Sequence, residues 1–151
     1  LQATSPMANA LENQNPKGIK KFMRLTTKTD YCLRVLIFLQ KKKAKVKIQE
    51  IAEAYDVSKN HLSVAVNKLS ELGYIISTPG PRGGIEFNPD SANRTIADLV
   101  MAIEDFNLVE CFSAETNTCT LIPNCKLKSI FEKATTSFLE QLKEYQIKDL
   151  V

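Results

Sequence analysis

Apolar positions recur at helical spacing through most of this 151-residue chain and give way to short strand-like runs at only one place. From Leu25 to about Gln40, the residues Leu25, Cys32, Leu33, Leu36, Ile37 and Leu39 predict a helix packed on one side. Lys41, Lys42, Lys43, Lys45 and Lys47 end it in a solvated turn. Ile48, Ile51, Ala52 and Tyr55 then follow the i, i+3, i+4, i+7 pattern of a short amphipathic helix. Asp56-Val57 makes a turn, and Ser58 stands where a third helix needs its N-cap. That helix buries Leu62, Val66 and Leu69 and stops at Gly73, where a left-handed cap fits.

After Gly73 the pattern changes. Tyr74 to Ser77 reads as a strand, Pro79 to Gly84 as a turn, and Ile85 to Phe87 as the returning strand. Two short helices with a tight turn between them and a hairpin behind predict a winged helix-turn-helix, so the fold class is mainly α with a small β-hairpin. Thr95 caps a further helix containing Ile96, Leu99, Val100 and Ile103, and residues 107–125 form a loop. A last helix runs from about Lys126 to Gln146. Its Leu127, Phe131, Ala134, Phe138, Leu142 and Tyr145 are spaced 4, 3, 4, 4 and 3 apart. Such a seam suits dimerisation with a second chain, and burial on its own subunit is the alternative. Residues 1–22 mix Pro, Gly, Asn and Gln without periodicity and read as a flexible leader. The expected organisation is that leader, a DNA-binding domain over 23–94, and a ligand loop with dimerisation helices over 95–151.

Charge sharpens the picture. The net charge is only +3, but residues 23–94 carry 12 Lys and Arg against 7 Asp and Glu, and residues 95–151 carry 5 against 9. A polyanion is therefore expected to bind the front half alone. No apolar stretch nears the roughly 20 residues needed to span a bilayer. Residues 1–22 lack the apolar core of a signal peptide, so a cytoplasmic protein that does not enter membranes is expected.

In a helix-turn-helix the second helix enters the major groove of double-stranded DNA. With Leu62, Val66 and Leu69 facing the core, Lys59, Asn60, Ser63 and Asn67 share the opposite face, and His61 lies beside it. Asn can pair with adenine in a bidentate manner, Lys suits guanine or phosphate, and Ser reaches either. In the wing, Arg82 suits a narrow minor groove, and Gly83 with Gly84 lets the backbone approach a phosphate. Lys28 is counted with these DNA-binding residues.

Cys111, Cys119 and Cys125 are the most specific chemical feature, since thiolates favour zinc and iron–sulfur clusters. Zinc sites commonly show paired C-x2-4-C ligands, whereas gaps of seven and five residues suit something bulkier than one ion. A cubane cluster has four irons, so three cysteines leave one iron needing another donor. Asp30 and Cys32 in the first helix are candidates on different faces. Cys32 falls on the apolar stripe, which favours burial, and Asp30 is the preferred donor, with an i, i+4 ion pair to Arg34 as its bland alternative.

The segments MRLTTKTDYCLRVLIFL and IQEIAEAYDVSKNHL, the wing GPRGGI and the run FNLVECF with its following cysteines resemble the iron–sulfur winged-helix repressors. The resemblance covers residues 23–151. It is strongest to the nitric-oxide-sensing branch, on Asp105 to Cys111 and the ending Lys148 to Val151. It implies a homodimer on a palindromic operator, with a 4Fe–4S cluster held by the three loop cysteines and by Asp30 of the partner subunit. Arg34 matches a family position near the cluster. It further implies transcriptional repression that is lifted when nitric oxide nitrosylates the cluster and the dimer releases DNA.

Three other readings stay open. A 2Fe–2S redox or cluster-supply regulator of the same family normally has a histidine after its last cysteine, whereas the single histidine here is His61. A zinc-stabilised DNA-binding protein is the second. A thiol enzyme is the third, and it is disfavoured. No cysteine pair has C-x-x-C spacing, and no nucleotide-binding glycine loop or catalytic carboxylate pair is evident.

Overall fold

In a computed structural model, which describes residues 24–151, the first helix α1 spans Thr27–Lys42. The expected leader lies outside the described residues. Thr26 caps α1 by accepting from the Thr29 N–H, a donor that the first turn cannot satisfy itself. Lys43 closes the helix in a left-handed conformation (φ 50°), its N–H donating to the Leu39 carbonyl. Helix α2 (Ile48–Tyr55) begins where the Glu50 carboxylate accepts the Lys47 N–H at 2.8 Å. Helix α3 (Lys59–Glu71) starts after Ser58, which holds the N-cap position without a side-chain bond. Gly73 at φ 74° turns the chain out of α3, as its sequence position predicts.

Strands β1 (Ile75–Thr78) and β2 (Gly84–Phe87) pair antiparallel, with Ile75 opposite Phe87 and Thr78 opposite Gly84. The expected winged helix-turn-helix is thus present. Helix α4 (Ile96–Ile103) opens with a reciprocal cap: Thr95 and Asp98 each accept the other's backbone N–H. Helix α5 (Lys126–Lys143) ends one turn earlier than the periodicity predicts, and a 3-10 turn, Ile147–Leu150, follows it.

The lysine-rich turn after α1 is not wholly solvated, which corrects the sequence expectation. Val46 is buried, and it exchanges two backbone hydrogen bonds with Ile85, at 2.9 and 2.8 Å. One apolar residue among lysines has no periodicity to betray it, and its partner lies 39 positions away.

One core unites the front and back of the chain. Leu36, Leu39, Ile51, Leu62, Leu69, Tyr74 and Ile85 are buried together with Leu99 and Ile147 from beyond residue 95. The tail is stitched down by Gln40 Nε2 donating to the Ile147 carbonyl at 3.1 Å and by Ile96 N–H donating to Tyr145 O at 2.9 Å. Helix α5 has no fully buried residue. Its Phe131, Phe138 and Leu142 line one wall of an apolar groove of about 410 Å³ whose other walls include Leu33, Val100 and Phe106. Leu127 and Tyr145, at the ends of the predicted seam, are 51% and 56% exposed.

Candidate DNA interface and metal centre

Helix α3 is held by its buried face. Leu62, Ala65, Val66 and Leu69 are buried, and the Cys32 thiol of α1 donates to the Ala65 carbonyl at 3.6 Å. Cys32 has no exposure, and burial pushes its thiol up to about 12, opposed weakly by Lys28 and Lys68. It is a packed hydrophobe with a weak donor and stays protonated at neutral pH. The sequence expectation for it holds.

Lys59, Asn60, His61 and Asn67 are exposed on the outward face of α3, as are Lys28 at the start of α1 and Arg82 at the wing tip. Ser63 differs: its hydroxyl donates back to the Lys59 carbonyl at 2.8 Å, so part of its hydrogen-bonding capacity is taken within the helix. Val64 is exposed on the same face, although its apolar type gives no sequence signal of a reading role. Gly83 is buried, and a Cβ there would lie 2.0 Å from the Thr78 carbonyl. At Gly84 a Cβ would meet the Val46 carbonyl at 2.6 Å. Both glycines are therefore required by close packing of the hairpin on its own chain, a different reason from approach to a phosphate.

Lys45 and Lys47 also take a role that the sequence did not signal. Lys47 Nζ donates to the carbonyls of Pro81 (2.8 Å) and Gly80 (3.4 Å), and Lys45 Nζ donates to Thr78 Oγ1 at 3.1 Å. The wing turn is thus fastened to the residues just before α2. A Lys47→Met protein is expected to bind duplex DNA about fivefold more weakly, the equivalent of roughly 1 kcal/mol for a net hydrogen bond. Its salt dependence should stay unchanged, because Lys47 positions the wing. A slope reduced by about one in a binding series across salt would instead mark Lys47 as a phosphate contact.

The three loop cysteines are free thiols of intermediate burial between α4 and α5. Glu110, just before Cys111, accepts from the backbone N–H of Thr118 at 2.8 Å and from its hydroxyl, and Thr118 just precedes Cys119. This carboxylate bridge brings the approaches to two of the cysteines together. The Thr118 bonds hold the Glu110 carboxyl below its ordinary range. Cys125 occupies the N-cap position of α5, beside the unpaired N–H groups of the first turn. Among the described residues, no three His, Cys, Asp or Glu side chains converge as a ready-made site for a metal ion. The donor chemistry nevertheless suits a thiophilic group: three thiols on one loop, without disulfide partners and open to solvent.

The root of that loop is tied to α1. Glu104 Oε1 accepts from Thr26 N (2.7 Å), from Thr26 Oγ1 (2.8 Å) and from the buried Thr29 hydroxyl. Desolvation raises the Glu104 carboxyl, but the hydrogen bonds from Thr29 and Thr26 outweigh it and leave the group below its ordinary value. One residue past Thr29, Asp30 pairs with Arg34 at 2.9 Å, both side chains being nearly half exposed. The single chain therefore shows the i, i+4 ion pair and brings no loop cysteine into a metal site with Asp30.

The Glu104 clamp gives a pH prediction. A carboxyl held low in the folded state stabilises it above the ordinary carboxylate range, and that contribution is lost as pH falls through the folded-state value. Glu104→Gln is expected to cost about 1 kcal/mol at neutral pH. Denaturant titrations of the two proteins should converge as pH drops below about 4. A gap that persists unchanged in acid would mean that charge on Glu104 contributes nothing.

A helix-turn-helix with a braced wing and an outward polar helix defines a DNA-binding transcriptional regulator. The family model Rrf2, described as an iron-dependent transcriptional regulator, matches residues 25–151, and the chain belongs to that family. It is 42% identical over 132 residues to the HTH-type transcriptional regulator NsrR of Bacillus licheniformis, covering 85% of this chain and 92% of that protein. It is equally identical to the NsrR of Bacillus subtilis, over 85% and 90% of the two chains. Among solved structures, T. potens IscR matches with a TM-score of 0.64 at 20% identity over 85% of each chain. Staphylococcus aureus CymR matches at 0.62 and 22% identity, over 82% of this chain and 93% of that one. These two likenesses concern the fold. Among the described residues no helix is long and apolar enough to cross a membrane.

Proposed function

We propose that the protein is a homodimeric cytoplasmic repressor that binds a palindromic operator and responds to nitric oxide through a 4Fe–4S cluster. Cys111, Cys119 and Cys125 would hold the cluster, with Asp30 of the partner subunit as fourth ligand. The observation that carries this reading is three free thiols on one loop whose root, Glu104, is hydrogen-bonded to the first turn of α1. When bound, such a group supplies iron with affinity for nitric oxide, most accessible where the ligand is an oxygen and not a thiolate.

The chain's own residues supply the coupling. Asp30 sits on α1, and α1 meets α3 through the Cys32–Ala65 contact and a shared core. A pull on the first turn of α1 is therefore felt where α3 is seated. Arg34, which holds Asp30 in the single chain, would share or release it when Asp30 engages the partner's loop. Residues 23–94 would read DNA, and residues 95–151 would sense and dimerise, with the apolar face of α5 and the adjoining groove as the contact between copies. The 42% identity to proteins named NsrR supports the nitric oxide sensor, and the absence of a histidine beyond His61 counts against the 2Fe–2S alternative. No catalytic role is proposed.

The test is binding of anaerobic, iron- and sulfide-reconstituted protein to operator duplex, before and after nitric oxide is added. Tight binding that collapses with nitric oxide is expected. Binding indifferent to nitric oxide would overturn the assignment.

A further inference from the structure

Resting on the DNA-binding reading, we infer that Val64 selects thymine, its side chain meeting the C5-methyl group of that base in the major groove. Val64 is 55% exposed in the middle of α3, whose buried face is made by Leu62, Ala65, Val66 and Leu69. Asn60 stands four residues before it and Asn67 three after, so the three side chains form one ridge on the outward surface. Two polar groups beside it, Ser63 and Lys68, are engaged within the helix. The Ser63 hydroxyl is turned back onto Lys59 O, and Lys68 Nζ is paired with Glu71 at 3.2 Å. Among the described residues, Asn60, Val64 and Asn67 have no such side-chain partner, so this ridge presents amide, isopropyl, amide.

That order has a chemical counterpart. Adenine offers an acceptor and a donor that match an Asn side chain, and thymine offers the only methyl group among the four bases in the major groove. A scattered exposed hydrophobe on an ordinary surface needs no explanation. One centred between two asparagines on a recognition helix does, because in the groove it would be desolvated against a base edge. A valine there discriminates by apolar contact, and it penalises a bare cytosine amino group that it cannot hydrogen-bond. The consequence is an operator half-site with an A·T-rich centre containing one thymine whose methyl group is required.

The experiment starts from a random-duplex library enriched on the anaerobic reconstituted protein. In the winning duplex each thymine is replaced in turn by deoxyuridine, which removes only the methyl group. Affinities are then measured for wild type and for Val64→Ala, a substitution that favours the helix. One thymine per half-site should weaken wild-type binding about fourfold on conversion to uracil, the worth of one buried methyl-sized group. Val64→Ala should bind the thymine duplex more weakly and be blind to that replacement. Wild-type indifference to every uracil, or retention of the sensitivity by Val64→Ala, would overturn the inference while leaving DNA binding intact. If no duplex is enriched over bulk DNA, the DNA-binding reading itself fails, and the role of Val64 falls with it.

Discussion

Cys119→Ser protein is expected to emerge from anaerobic reconstitution without its complement of iron and acid-labile sulfide, and with operator affinity reduced about a thousandfold, to the level of bulk DNA. Cys119 lies between the two other thiols, and the Glu110–Thr118 bridge draws its approach towards that of Cys111. A hydroxyl is a poor ligand for iron in a sulfide-rich cluster, so one donor is removed without loss of shape. Because Cys119 is only partly buried and the Cys119 N–H bond to Asn117 Oδ1 (2.9 Å) uses backbone, the fold should be unaffected. Cys32 provides the contrast. It is fully buried against α3, and Cys32→Ala should keep its iron and sulfide while melting at a lower temperature. Colorimetric iron and sulfide per subunit, with fluorescence anisotropy on the same samples, decides between the two cysteine roles. Retention of full metal content by Cys119→Ser would remove that residue from the ligand set.

Leu62→Ala should have the largest effect on folding itself. Leu62 has no exposure and lies in the core that joins α1 to α3, so its truncation removes buried contacts and leaves a cavity. Such changes cost about 2–5 kcal/mol, a large part of the roughly 5–15 kcal/mol that keeps a domain folded. A fall in melting temperature of about 10 °C or more is expected by circular dichroism. The recognition helix would lose its seat, so specific DNA binding should fall along with stability. A melting temperature within a degree or two of wild type would show that α3 is not anchored through this face.

The parts of the fold legible in the sequence are those set by neighbours a few residues apart. Ile48, Ile51 and Tyr55 mark α2 by spacing, Gly73 stops α3 because a left-handed residue is needed, and Thr95 announces α4 through its exchange with Asp98. For helix α1 the apolar rhythm predicts a start at Leu25, two residues early, whereas the cap chemistry of Thr26 sets the true start. What stayed hidden depends on partners far along the chain. Val46 pairs with Ile85, Lys47 reaches Pro81, Gln40 holds Ile147, and Glu104 returns to Thr26 and Thr29. No local period encodes such contacts. Glu104 in particular sits beside acidic Asp105 and reads as an ordinary surface charge until the turn of α1 is brought against it.

The candidate site divides in the same way. The cysteine loop and the outward face of α3 could be read from residue types, since thiol spacing and an amphipathic face are visible in one dimension. Val64 is not legible in the same way, because an apolar residue on a reading face looks like core until its exposure is known. At Gly83 and Gly84 the residue type signals a close approach without saying what approaches, and the Thr78 and Val46 carbonyls emerge as neighbours only in the fold. The carboxylates of Glu104 and Glu110, which moor the loop, carried no sequence signal at all.

The decisive experiment loads metal-free protein stepwise with iron and sulfide under anaerobic conditions while its affinity for a fixed operator duplex is followed. Affinity should climb in step with loading and reach its plateau at about four irons and four sulfides per subunit, as a cubane requires. An affinity that is already maximal in the metal-free protein, or that does not move as iron and sulfide are taken up, would contradict this expectation.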